Sequence, residues 1–191
     1  MGIDEGRAII EDVRVTDLRI RSCLLNYAIL RDVTIDGLTL DRDSGFCFAN
    51  QFERVTVRGR VKGGALVLNR NSVQVGNYPE LEAYTKFLAD WDQGEGWTLD
   101  ISEAEGEIEI RGYSADRIRL DLETQAVVRR RVAQDSLWKT VDYEDTAFGV
   151  AIEDMFVFDH DDTVLSANKA SRNLPAELRV LQRLRDEGIA E

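Results

Sequence analysis

Apolar residues recur along the first third of the chain on two nested periods. The longer is carried by a phrase of polar, Val, polar, apolar residues: Asp12-Val13-Arg14-Val15, Asp32-Val33-Thr34-Ile35, Arg54-Val55-Thr56-Val57 and Ser72-Val73-Gln74-Val75. Spacings of 20, 22 and 18 residues mark a stacked structure, because each repeat hides its apolar face only against the next. The shorter period is five: Val13, Leu18, Cys23, Ala28, Val33 and Leu38, with Val15, Ile20, Leu25, Leu30, Ile35 and Leu40 two residues behind. One straight strand cannot give this, since strand side chains alternate with period 2 and a step of five reverses the parity each time. A helix is excluded by the period and by the density of β-branched residues. A coil of short strands bent between faces satisfies both periods. Asp43-Ser44-Gly45, Gly63-Gly64 and Asn69-Arg70-Asn71-Ser72 read as its turns, and Ala8, Ile9 and Ile10 as its start or cap.

After Gly76 the pattern changes. Asn77-Tyr78-Pro79-Glu80 has the form of a helix start, and Leu81, Tyr84, Leu88 and Trp91 follow at helical spacing up to Gly94 and Gly96. Residues 98–101, 107–110 and 117–122 alternate apolar and charged residues, predicting strands with one wet face. A strand is predicted over 125–132. A hairpin is predicted from 148–158 and 163–167, turning across Asp159-His160-Asp161-Asp162. Asn173-Leu174-Pro175 starts a closing helix with the stripe Leu178, Leu181 and Leu184, ended by Gly188. The expected fold is mainly β, with added α. β-Solenoid-like coils over residues 1–76 precede an acidic α+β region over 77–191, built of a helix, antiparallel strands and a C-terminal helix. The two regions pack as one composite domain.

The coils, from Asp12 to about Asp41, resemble pentapeptide-repeat proteins and, more loosely, other right-handed β-helices. The usual small-acidic-Leu phrase survives only in fragments such as Ala28-Ile29-Leu30-Arg31-Asp32, so the resemblance implies a β-helix less regular than a square coil. The second half resembles a group of bacterial proteins through Asp100-Ile101-Ser102-Glu103-Ala104-Glu105, Glu123-Thr124-Gln125 and the terminal helix. That likeness implies a composite fold and no particular chemistry.

Composition narrows the class. With 191 residues, 43% hydrophobic and 31% charged, the chain suits a soluble globular protein able to bury about 70% of its unfolded surface. No apolar run reaches spanning length. The opening Met1-Gly2-Ile3-Asp4-Glu5 reads as neither signal nor transit peptide, and Gly6 stands where myristoylation needs Ser or Thr. Cys23 and Cys47 make no disulfide or metal pattern. A bacterial cytoplasmic location is expected. The net charge of −12 is unevenly placed: residues 1–76 carry 10 acidic and 11 basic residues, residues 77–191 carry 26 and 13. The second half should therefore repel nucleic acid and attract basic surfaces.

One motif looks catalytic. Phe156-Val157-Phe158-Asp159-His160-Asp161-Asp162-Thr163-Val164-Leu165 resembles motif I of haloacid-dehalogenase-like phosphatases. The resemblance implies Asp159 as nucleophile, Asp161 as acid/base and both as magnesium ligands. Asp162 departs from the glycine expected there. In that family the strand opens a large α/β domain, whereas 26 residues follow Leu165, so the motif reads better as a polar turn. Asp142, Glu144 and Asp145 lack the turn glycine and distal Glu of a calcium loop. Arg129-Arg130-Arg131 should pair locally with carboxylates, and Trp91, Trp97 and Trp138 lack the basic field of a base-stacking platform.

The expected function is a non-enzymatic protein-binding module, an inhibitor or immunity-type protein meeting a basic partner through its acidic half. No catalytic residue, metal site or cofactor is expected, and neither nucleic acid nor membrane. Asp142, Glu144, Asp145, Asp159, His160, Asp161 and Asp162 are the candidate contact residues, and an uncovered solenoid end would admit self-association. The alternatives are a divalent-metal phosphatase using Asp159 and Asp161, and a structural or regulatory solenoid.

Overall fold

A computed structural model describes residues 8–21, 25–26, 28–41, 46–48, 50–70, 96–133 and 137–191. It contains a three-sided parallel β-solenoid of about three turns. The first coil is β1 (Ile9–Glu11), β2 (Arg14–Ile20) and β3 (Leu25–Asn26). The second is β4 (Ile29–Arg31), β5 (Thr34–Leu40) and β6 (Phe46–Phe48), and the third β7 (Gln51–Glu53), β8 (Val55–Lys62) and β9 (Leu66–Asn69). Corresponding strands stack in three sheets, in the register the repeat predicts: Ile9 pairs with Ile29 and Ile29 with Gln51; Val15 pairs with Ile35 and Ile35 with Val57.

The five-residue period has a local cause. Asp17, Gly37 and Gly59 lie in the middle of the three long strands, all with positive φ (51°, 81° and 67°). Each resets the parity of its strand, so residues on both sides of it point inward. Leu38, Leu40, Val57 and Val61 are buried, while Val15, Leu18 and Ile20 of the end coil are half-buried. A second left-handed column sits at the preceding corner, where Asp12, Asp32 and Arg54 have φ near 55°. Just after it come Val13, half-buried, and Val33 and Val55 at 3% and 2% exposure. Val73 and the predicted helix beyond Asn77 lie outside the described residues, as does Cys23. At the glycine turn, a Cβ on Gly63 would meet the Leu40 carbonyl oxygen at 1.8 Å; only glycine permits that approach.

Outside the coils, charges alternate in sign from turn to turn. Arg31 lies between Glu11 and Glu53, Arg54 meets Asp32 at 2.6 Å, and Asp36 lies between Arg14 and Arg58. Such cross-strand pairs favour one register and leave the coils nearly neutral.

The parallel ladders continue past the intervening residues 71–95. β10 (Leu99–Asp100) and β11 (Ala104–Glu105) pair with β8, β12 (Ile108–Arg111) with β9, and β13 (Ile118–Arg119) with β10. β14 (Gln125–Arg129) and β15 (Asp162–Ser166) then close one sheet with antiparallel pairing, in the order β14-β15-β12. These last two strands divide two cores. Val127 and Val164 face the solenoid interior, whereas Ala126, Val128 and Leu165 face a helical layer, as strand alternation requires.

That layer holds α1 (Arg130–Ala133), a 3-10 turn at Leu137–Thr140, α2 (Phe148–Val157) and α3 (Leu174–Asp186). α3 buries Val180, Leu181 and Leu184 and ends at Gly188, φ 69°. There the Ile189 N–H donates to the Leu184 carbonyl and the Gly188 N–H to the Arg185 carbonyl, the paired closure typical of a left-handed residue after a helix. Two expectations are corrected. Residues 148–157 are a helix and not the first arm of a hairpin, because Phe148, Ile152 and Met155 make the buried face at steps of four and three. The strand from Gln125 ends at Arg129, where α1 begins. Among the described residues no helix is long and apolar enough to cross a membrane.

Candidate functional site

The acidic turn is built by the end of α2. Asp159 follows the helix cap with φ 59°. The His160 N–H donates to the Met155 carbonyl and the Asp159 N–H to that of Phe156. Asp159 thus takes the position glycine holds after α3, and Asp is among the few residues that tolerate it. Its carboxylate, 86% exposed, is ion-paired with Arg130, and that hydrogen bond holds its pKa below the ordinary carboxylate value. The cation offsets a charge that would otherwise stand badly at a helix C-terminus. Asp161 is exposed, and its carbonyl accepts the Arg130 N–H.

Asp162 is different. It is 7% exposed, accepts the Ala115 N–H at 3.2 Å, and meets its cross-strand partner Arg129 at 3.0 Å. Arg129 also reaches Asp116 at 2.6 Å and Glu191 at 3.7 Å. Burial pushes the Asp162 carboxyl above its ordinary pKa, against the pull of the Ala115 N–H and Arg129. Asp162 is therefore a fixture of the sheet and not part of a solvent-facing contact. Arg129 and Arg130 of the arginine run pair locally, as the sequence suggests, while Arg131 is exposed and makes no ion pair among the described residues.

His160 lines a cleft of about 100 Å³ between α2, β12 and β15, together with Arg111, Asp154 and Ser166. Arg111 bridges Asp154 at 3.2 Å and Glu109 at 2.6 Å. Burial, then Arg70 and Arg111, lower the His160 pKa below its usual value.

The remaining candidates belong to the loop before α2. Glu144 and Asp145 have φ of 48° and 61°, and the Glu144 N–H donates to the Asp142 carboxylate. Glu144 is held by α3 through Arg179 at 2.5 Å and Arg183 at 2.9 Å, the Arg179 bond keeping its pKa low. The seven candidates therefore stand on two supports, α3 for Asp142 to Asp145 and β14–α1 for Asp159 to Asp162. Glu144, Asp159 and Asp162 are already paired.

The surplus charge lies only partly on these candidates. Glu103, Glu107, Glu123, Asp142, Asp145, Glu153, Asp161, Asp186 and Glu187 are exposed and make no ion pair among the described residues. Opposing cations are largely committed: Arg111, Arg129, Arg130, Lys169, Arg179 and Arg183 all bind carboxylates. Sequence reasoning also misses Val150, Val157 and Phe158, which are 60%, 67% and 48% exposed on or just after α2. The spacing of Phe148, Ile152 and Met155 is the signal that places them outward. Among the described residues no group of three His, Cys, Asp or Glu side chains could hold a metal ion. The apolar stretch before Asp159 is the end of a helix, unlike the strand that precedes the nucleophile in the phosphatase motif. No protein-family model, curated protein or solved structure matches the chain.

Proposed function

We propose that the protein is a non-enzymatic binding module whose acidic second half meets a basic protein, in the manner of an inhibitor or immunity-type protein. One observation carries this reading. Most described cations of the second half are committed to local ion pairs, while nine carboxylates face solvent without an ionic partner among the described residues. Such a surface steers a basic partner, and salt screens the attraction over about 8–10 Å at physiological ionic strength.

Affinity capture from the native host at low salt, followed by reconstitution with the purified captured protein, tests it. A basic partner is expected, with association slowed as salt rises and dissociation changed less. A partner that is neutral or acidic, or an association rate insensitive to salt, would overturn the reading.

A further inference from the structure

The outer face of α2 combines exposed apolar side chains with surplus negative charge. At 3.6 residues per turn, Val150 and Val157 lie within about 20° of one another around the helix. They sit roughly opposite the buried Phe148, Ile152 and Met155. Both valines are more than half exposed, and Phe158, which caps the helix, is 48% exposed. Glu153 and Asp154 flank the strip on its two sides. Glu153 is exposed with no ion pair among the described residues, and Asp154 faces Arg111. Asp161 follows beyond Phe158. Exposed apolar side chains grouped on one helix face and bordered by charge suit a contact site.

We infer that this strip is the docking site within the acidic surface proposed above, and that its occupant is a basic amphipathic helix of the partner. The inference rests on that proposal and narrows it to one face. Two apolar anchors seven residues apart, about 10 Å along the axis, match the i, i+3, i+4, i+7 anchors of a helix laid alongside. The unpaired carboxylates of Glu153 on one border and Asp161 beyond the helix end select Lys or Arg on that helix, Asp154 being already engaged by Arg111. The same borders disfavour other occupants. A second copy related by a two-fold axis would set the Glu153 and Asp154 region against itself at the centre of the strip, where like charges repel. An anionic membrane would be repelled in the same way.

The test uses a fluorescent 18-residue helical peptide of Leu and Lys at amphipathic spacing, a scrambled peptide of the same composition, and a Leu/Glu peptide of the same pattern. Anisotropy titrations with the full chain should show the amphipathic Leu/Lys peptide binding at least tenfold more tightly than the scrambled one. The double variant Val150→Ser/Val157→Ser should remove that advantage while keeping the wild-type circular dichroism and urea midpoint. Glu153→Lys should shift preference toward the Leu/Glu peptide. If both basic peptides bind equally, with salt sensitivity, and the serine variant behaves as wild type, the strip is wrong and the acidic-surface reading stands. If neither basic peptide binds, both fall. A dimer by light scattering that Val157→Ser dissociates would also overturn the inference, by making a second copy the occupant.

Discussion

A single buried position shows how much the coils depend on stacking. Val33 is 3% exposed inside the solenoid, and its carbonyl accepts the Thr56 N–H of the next coil at 2.8 Å. Val33→Asp places an unpaired charge there, at a cost on the order of several kcal/mol. Chemical denaturation should find the variant unfolded or nearly so; a stable variant would mean the interior is not packed as described. His160 offers a pH-dependent case. Burial and the facing Arg70 and Arg111 lower its folded pKa, while Asp154 and Asp159 oppose them less strongly. The unfolded chain therefore binds the proton more readily than the folded one, so stability is full above the unfolded value near 6.5 and falls as pH drops through the folded pKa. Urea midpoints measured from about pH 7.5 to about pH 5 should decline more steeply for wild type than for His160→Gln. Parallel declines would remove His160 as the cause.

At the scale of the strand, the left-handed residue inside each long strand is the device that lets a step of five fill one interior. Asp17 occupies this place in the first coil, Gly37 and Gly59 in the next two. A short polar side chain is thus accepted at φ > 0, whereas a β-branched one is not. Gly37→Asn should cost about 1 kcal/mol and Gly37→Val roughly 2 kcal/mol or more, read as the difference between their urea midpoints. Equal losses would show that crowding outweighs backbone strain, since a Cβ on Gly37 would stand 3.0 Å from the Asp17 carboxylate. The same coils show what is legible in the sequence. The spacings of 20 and 22 residues become the observed register, because parallel stacking imposes one coil length on every face. The 148–158 segment reads wrongly as a hairpin arm because apolar residues occur on nearly every side of it. With Val150 and Val157 outside and Phe148, Ile152 and Met155 inside, a search for one wet face finds none. The acidic turn is legible as a turn but not as a helix ending, since Asp159 stands where glycine usually announces one. The unequal burial of Asp159 and Asp162 is illegible too: it depends on Arg129 and Ala115, both distant in sequence.

For the whole molecule, the near-neutral coils and the acidic remainder divide the surface electrically. The contrast between Asp161 and Asp162 refines how the remainder can be probed. Asp161→Lys and Glu153→Lys change exposed carboxylates that make no ion pair among the described residues, and should slow association with a basic partner without altering the fold. Asp162→Lys would place a cation against Arg129 in a buried site and should report on stability instead. Reversing Arg14, Arg19 and Arg21 on the first coil should leave the association rate almost unchanged; a large effect would move the contact to the coils. The antiparallel closure has a further consequence for growth by templating. A parallel coil can serve as the mould for another, which is how end-to-end fibres propagate. Here β15 alone reverses the chain direction and interrupts the parallel ladder of one sheet, and Val127 of the edge strand β14 exchanges backbone hydrogen bonds with Glu191, at 3.1 and 2.8 Å. That face is sealed against a first coil, whereas among the described residues the other two sheets end in the parallel-paired strands β7 and β13. A copy stacking there would find open ladders on two faces of three, so continuous stacking is hindered. Light scattering at increasing concentration should find no long series, and a ladder of larger species would contradict it.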